Sequence, residues 1–217
     1  MFDYTLIRSD RKTLSVEIDR EGGLIVRAPR RLDMATIERF LESRKRWIEE
    51  NRRRILERRA AVVQDSSGAQ TVWYHGSQLQ LLQHDAPNVE IRDGALIVPR
   101  NWTQAHLRAW LKEMCKQELQ SHVSPAAPLL GVQPTAIHVT EAKTRWGSCS
   151  GKNSLNFAWR VIFCPPEVIH YVVIHELCHI RHKNHSAAFW AMVAQYDPDY
   201  KTHRAWLREH AALMELF

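Results

Sequence analysis

Apolar and polar residues alternate from Leu14 to Asp19, Glu21-Gly22-Gly23 supplies a turn, and Leu24 to Arg27 resumes the pattern, which predicts a β-hairpin. Asp33 is placed to cap a long helix running to about Ala61. Ile37, Phe40, Leu41, Trp47, Ile48, Ile55 and Leu56 form a broken apolar stripe along it. Gln64 to Gln70, with Ser66-Ser67-Gly68, reads as a linker or loop. Strand patterning returns at Val72–Tyr74, at Leu79–Leu82 and around Val89–Val98. The order Val16–Ile18, Gly turn, Leu24–Val26, Pro29, helix is echoed by Val89–Ile91, Gly turn, Leu96–Val98, Pro99, helix. Two such copies predict a hairpin-then-helix arrangement used twice, short of a solenoid.

A second helix is predicted from about Thr103 to His122, burying Leu107, Trp110, Leu111, Met114 and Leu119, with Pro125 and Pro128 ending it. Ala136–Thr140 and Ser154–Trp159 read as strands around a turn at Ser148 to Lys152. After the helix that comes next, Ser186 can cap another carrying Phe189, Trp190 and Val193. A Tyr196-Asp197-Pro198-Asp199-Tyr200 break then precedes a last helix with Trp206, Leu207, Leu213 and Met214.

The stretch from Pro165 to His185, PPEVIHYVVIHELCHIRHKNH, carries the chemistry. Its proline pair suits a first helical turn, and Tyr171 to Ile174, Leu177, Cys178 and Ile180 make the helix apolar around most of its girth. His175, Glu176 and His179 form H-E-x-x-H. The i and i+4 imidazoles share one face and can reach one metal ion, and Glu176 projects close enough to take a proton from water held there. A catalytic zinc site needs a third ligand and an open position. His182 shares the face, but a straight helix sets its Cα roughly 10 Å along the axis from that of His175. His185 reaches the site if the helix stops and the chain turns back. Asn184, which tolerates the left-handed conformation, is placed to make that turn. His185 is therefore favoured as third ligand, with His182 flanking.

Composition narrows the setting. The 217 residues suffice for one domain or a domain with an appendage, and the formal charge of +6 permits a polyanionic partner without requiring one. The charged start, MFDYTLIRSDRK, lacks the apolar core of a signal peptide, and no apolar run approaches a membrane span, so a cytoplasmic setting without a membrane anchor is expected. Cys115, Cys149, Cys164 and Cys178 form no C-x-x-C pair, which argues against a structural disulfide or an all-cysteine zinc site. Cys149 reads as a small buried residue, the other reading being an inhibitory thiolate. Arg44, Lys45, Arg46, Arg52, Arg53, Arg54, Arg58 and Arg59 make the first helix basic. The interspersed acids favour a solvated face with pairs such as Glu49–Arg53 and Glu50–Arg54. Weak nucleic-acid contact through Arg44–Arg59 is the alternative.

Three spaced segments together resemble the YgjP-like zinc metallopeptidases, relatives of the SprT and WLM minimal metalloproteases. They are Glu141–Ser150 (EAKTRWGSCS) with Leu155-Asn156, Tyr171–His179 (YVVIHELCH), and Asn184-His185-Ser186 with Phe189-Trp190. Pro198-Asp199-Tyr200 and Trp206-Leu207 fit as well, so the likeness covers essentially the whole chain and is strongest from Glu141 onward. The resemblance implies an α+β fold, with a zincin-like minimal metalloprotease core and an N-terminal portion of β-hairpin and helix. The division is expected at residues 1–100 and 101–217, one continuous domain being the alternative. It implies one zinc ion per chain on His175, His179 and His185, with Glu176 as general base. The implied substrate is a peptide or protein, or a nucleoside triphosphate, since one branch carries a UTP pyrophosphatase assignment.

Within that frame the segment before the helix gains a role as an edge strand beside the site. Gly147 would admit a substrate backbone and Arg145 would bind an anionic group; the equally weighted alternative is that Trp146 fills the core beneath the helix and Gly147 makes a bulge. Tyr200 and His203, along with Tyr196 and Arg204, come after the third ligand and are candidates to face the developing oxyanion.

Overall fold

The computed structural model describes residues 2–19, 22–63, 70–85 and 87–217, and of 58–63 the backbone alone. The linker predicted at 64–70 therefore lies almost wholly outside the described residues, as does the start of the first turn. Contacts gather into two compact units, Met1–Gln64 and Asp65–Phe217, whereas the division expected from sequence is residue 100. The strands between 71 and 99 thus belong to the C-terminal unit. Their first turn is fixed there by two backbone bonds, His75 N–H to the Ile162 carbonyl at 3.0 Å and Gly76 N–H to that of Phe163 at 2.9 Å.

In the first unit, β1 (Thr5–Ser9), β2 (Ser15–Ile18) and β3 (Leu24–Pro29) form a sheet in the order β1-β3-β2. The predicted hairpin is β2–β3, with Val16 opposite Val26. The strand β1, parallel to β3, is not marked in the sequence because it alternates poorly and stays half-exposed. Leu24, Val26 and Ala28 on alternate positions of β3 are buried in one core with Ile37 and Leu41 of α1 (Met34–Ser43) and Ile48 of α2 (Lys45–Val63). Asp33 caps α1 by accepting from Thr36 N–H at 2.8 Å. The single helix predicted from Asp33 breaks at Arg44, where the Ser43 hydroxyl donates to the Phe40 carbonyl at 2.7 Å and competes with the helical ladder. Among the described side chains α2 forms the internal ion pairs Arg46–Glu50 and Arg53–Glu57, in place of the pairs expected, and Lys45 pairs with Glu42 of α1, so part of its charge is neutralised locally.

In the second unit, β4 (Thr71–Tyr74), β5 (Ser77–His84), β6 (Glu90–Arg92) and β7 (Ala95–Pro99) are ordered β4-β5-β7-β6, and the chain continues into α3 (Gln104–Leu129). Then β8 (Ala136–Thr140), β9 (Gly147–Cys149) and β10 (Ser154–Ala158) are ordered β8-β10-β9. A short 3-10 turn, Trp159–Phe163, leads into α4 (Pro166–Arg181), followed by α5 (Ala187–Tyr196), α6 (Tyr200–Glu209) and a final 3-10 turn.

One local plan occurs three times. In β1-β2-β3, β5-β6-β7 and β8-β9-β10 the first strand is parallel to the third, the second is antiparallel to it, and a helix comes after. The first two copies agree even at their exits. Arg30 N–H bonds the Ser9 carbonyl at 3.1 Å and Arg100 N–H bonds that of His84 at 2.9 Å, each just past the proline that ends the central strand. The echo in the sequence is thus the visible part of a shared topology, and the copy that ends in α4 holds the candidate site.

Two boundaries differ from those predicted. Pro125 and Pro128 lie inside α3, which continues because Val123, Ala126, Ala127 and Leu130 are buried and offset the lost backbone bond. It ends instead at Leu129, followed by the left-handed Gly131 (φ +61°), with Val132 N–H bonding the Ala127 carbonyl at 3.0 Å. The turn expected at 148–152 moves to 150–153, with Asn153 left-handed (φ +61°), since Gly147–Cys149 pair with Phe157–Leu155. No described helix is long and apolar enough to cross a membrane.

Glu141, just past β8, ties these elements together. It accepts from Arg108 of α3 at 2.6 Å and Trp159 Nε1 at 3.0 Å, and pairs with Lys112. Arg160, fully buried and lying over the Trp159 ring at 4.7 Å, stands 3.8 Å away and donates to the carbonyls of Leu216 and Phe217. Burial alone would raise the Glu141 pKa, but the donors Lys112, Arg108 and Trp159 together outweigh it and hold the carboxyl down at about 2. A depressed carboxylate contributes stability that is complete above its unfolded value near 4.5 and is lost as pH falls toward 2. Because the side chain is half-exposed, solvent screening cuts the contribution to about 1 kcal/mol. Denaturant midpoints should therefore show Glu141→Gln less stable than wild type by about that amount at neutral pH, with the gap closing near pH 2.

Candidate metal centre

Pro165 and Pro166 start α4, and Val168, Ile169, Tyr171–Ile174, Leu177 and Cys178 bury it against α3, α5, α6 and β9. His175 and His179, one turn apart, emerge half-buried on one face. The helix stops at Arg181 because His182 is extended (φ −120°, ψ 98°). Asn184 is not among the left-handed residues, so the turn does not depend on it. Ser186 then caps α5, accepting from Phe189 N–H at 3.3 Å, and this reversal delivers His185. His185 Nε2 lies 3.1 Å from His175 Nε2 and 3.2 Å from His179 Nε2. Among the described residues this is the one group of three whose ligand atoms all lie within 4.8 Å of one another, and His182 is not in it.

The donors fit a zinc ion. Tetrahedral coordination at about 2.0–2.1 Å separates ligand nitrogens by about 3.3 Å, close to the spacing seen. His179 Nδ1 donates to the His182 carbonyl at 2.9 Å, which leaves its Nε2 as a bare lone pair aimed at the other two rings. His175 Nδ1 faces the Tyr171 hydroxyl at 3.4 Å. His185 is held differently, by stacking on Trp190 at 5.5 Å and 20°, and Trp190 stacks in turn on Tyr200 at 5.5 Å and 22°. Burial, then the charges of His179, His185 and Arg204, pushes the His175 pKa down to about 3, and burial also lowers that of His179. Neutral imidazoles with converging lone pairs are the form a metal binds.

Glu176 is 5% exposed, and its Oε2 has no hydrogen-bond partner. Burial raises its pKa to about 8 against the opposing charge of Arg145. A Cβ on Gly147 would fall 2.7 Å from Glu176 Oε1 and 2.8 Å from its Cγ. The room that Gly147 leaves is therefore filled by Glu176, and not by a substrate backbone as the sequence suggested. β9, on which Gly147 sits, is the edge strand of its sheet and contacts α4.

The remaining candidates separate. Arg145 is exposed in the segment before β9, and Trp146 is half-buried with its carbonyl accepting from Ala158 N–H at 2.8 Å. His203 Nδ1 bonds the buried Asp197 at 2.9 Å, and its ring lies 6.3 Å from Tyr171. Tyr196 points elsewhere, donating to the Leu129 carbonyl at 3.0 Å. Burial raises the Cys149 pKa, which disfavours a thiolate there. Sequence reasoning took Tyr171 and Trp190 for apolar filling and gave Asp197 no partner. Tyr171 was findable, since it sits at i−4 from His175 on the same helical face.

No curated protein matches the sequence. Among solved structures, the metallopeptidase zymogen abylysin of Pyrococcus abyssi is similar at 22% identity and a TM-score of 0.39, the match covering 42% of this chain and 93% of that one. The family model described as "YgjP-like, metallopeptidase domain" matches residues 12–210. With nearly all of its length accounted for by that model, the chain belongs to the YgjP-like metallopeptidase family of metal-dependent hydrolases.

Proposed function

We propose that the chain is a zinc-dependent peptidase holding one zinc ion per chain on His175, His179 and His185, with Glu176 as general base. The observation that carries this reading is the convergence of three Nε2 atoms, two of the separations being 3.1 and 3.2 Å; Glu176, next to His175 on the same helix, adds a buried and unpartnered carboxyl oxygen. Zinc bound there supplies a Lewis acid and an acidified water. Nδ1 of His179 on the His182 carbonyl fixes that ring and raises its basicity as a ligand. Tyr171 and Trp190 orient the other two rings.

Glu176 takes the proton of the attacking water on a carboxylate oxygen and returns it to the leaving amide nitrogen, as one group acting first as base and then as acid. Its raised pKa describes the protein without metal, and a cation nearby favours the ionised base. Extended peptide substrate lies along the β9 edge, where main-chain pairing would orient it without demanding a particular side chain. His203, held by Asp197, and Tyr200 are the side chains assigned to the developing oxyanion.

Metal analysis is expected to return one zinc per chain, lost in the His175→Ala, His179→Ala double variant. Glu176→Gln should keep the metal while kcat falls by about 10²–10⁴-fold. Full activity in that variant would refute the general-base assignment. Trp190→Ala, which removes the plate under His185, should weaken zinc affinity about 10–100-fold in a chelator competition.

The buried carboxyl also has a consequence in metal-free protein. Its folded pKa of about 8 lies above the unfolded 4.5, so the folded state holds the proton and stability is lost as pH rises between those values. Metal-free Glu176→Gln should then match wild type below about pH 4.5 and exceed it by about 5 kcal/mol above pH 8, read from denaturant midpoints.

A further inference from the structure

Three cations surround the candidate centre, each from a different element. Arg145, exposed in the segment between β8 and β9, stands two residues before Gly147, and its charge bears on Glu176. Lys183, in the turn after α4, is fixed by Asn153 Oδ1 at 2.6 Å and the Ser150 carbonyl at 3.4 Å, and its charge reaches His179. Arg204 of α6 lies 5.0 Å over the ring of Trp190, which is itself 5.5 Å from His185 and 5.8 Å from His175. Its charge reaches both His175 and Tyr171. Among the described residues none of the three is ion-paired.

The acids whose charge reaches Tyr171 beside Arg204 are Asp197, 4% exposed and already bonded to His203, and Glu176, buried at 5% exposure. A cleft lined by one sign of charge attracts and orients ligands of the other. Two of the cations are held in place, Lys183 by its hydrogen bonds and Arg204 by the indole, so their positions are fixed before any ligand arrives.

We infer that the site selects acidic polypeptide, with Asp or Glu side chains on both sides of the scissile bond meeting Arg145, Lys183 and Arg204. The inference rests on the peptidase reading above and adds the substrate class to it. Arg204 serves one side of the bond together with the Trp190 plate. Arg145 and Lys183 serve the β9 side, since one precedes β9 and the other is tied to the turn just after it.

The test uses internally quenched peptides of one sequence that carry Glu, Gln or Lys at the residues flanking a central Ala–Phe bond. At low salt kcat/KM for the Glu peptide should exceed that for Gln by about tenfold, with Lys below Gln, and the ratio should fall toward one in about 0.5 M NaCl. Arg204→Glu should bring the Glu/Gln ratio to one or lower with zinc content unchanged, while Arg204→Lys retains most of it. Lys183→Gln and Arg145→Gln should each lower the ratio about twofold to fivefold, and they carry the test if Arg204→Glu does not fold. Fluorescence anisotropy of the same peptides on the Glu176→Gln protein gives a readout independent of turnover. Equal rates and equal affinities for the three peptides would overturn the inference and leave the peptidase reading standing. Selective binding of the Glu peptide without cleavage by wild type would uphold the charge preference and overturn the peptidase reading. UTP bound more tightly than the Glu peptide, and hydrolysed in its place, would overturn both.

Discussion

Taking a carboxyl and two imidazoles out of water is the constraint from which the second unit is built. α4 is apolar on nearly every side, yet it carries His175, Glu176 and His179 into contact with its neighbours. A charged group in that environment costs several kcal/mol unless it is paired, so the fold keeps all of them neutral. The imidazole pKa values go down and the carboxyl pKa goes up, and burial is the first cause in each case. What would be a liability in an ordinary core leaves a converging set of lone pairs and, from the neighbouring position on the helix, one unpartnered carboxyl oxygen. The surroundings of α4 are shaped to match. Gly147 has no side chain because Glu176 occupies the place of its Cβ, and the His182 carbonyl is free for His179 because the helix has ended there.

The repeated three-strand plan explains how an edge strand comes to lie beside that helix. In each copy the central strand is made last and runs directly toward a helix, so the hairpin partner and the helix are both near its end. In the first copy β3 and its helices close a small core of Leu24, Val26, Ala28, Ile37, Leu41 and Ile48, all of them apolar. In the third, β9 is three residues long and begins with Gly147, which lets α4 approach its backbone closely enough for Glu176 to fill the gap. The same local topology gives a plain core in one place and a candidate active site in another, and the difference rests on side chains rather than on strand order.

Local signals in the sequence were legible where physics is local. The Asp33 cap, the β2–β3 hairpin, the proline start of α4 and the i, i+4 spacing of His175 and His179 depend on residues close together in the chain. The reversal that brings in His185 was also readable, though by a different device, since an extended His182 and the Ser186 cap make the turn without a left-handed Asn184. What escaped depends on distant partners. β1 is a strand because β3 lies beside it, and α3 runs through two prolines because its last turns are buried. Gly147 looked like room for a substrate because nothing within the segment announces that Glu176, on the helix beyond β10, takes that room.

The three histidines are not equivalent, and the difference lies in what holds the far side of each ring. His175 and His179 are carried on a buried helix, and their Nδ1 atoms face the Tyr171 hydroxyl and the His182 carbonyl. His185 is exposed on a turn and relies on Trp190, which is itself braced by Tyr200 and covered by the Arg204 guanidinium. Stacking restrains the tilt of a ring but leaves it freer to slide in its plane than a hydrogen bond would. The two helical histidines therefore form a fixed pair, and the third is the adjustable member, whose position depends on α5 and α6. Tyr200 and Arg204 belong to α6, so any displacement of either is passed to the plate beneath His185. Under the function proposed above, the residues assigned to substrate are the same ones that set the position of the most exposed histidine, which would couple occupancy of the site to the geometry of the three imidazoles.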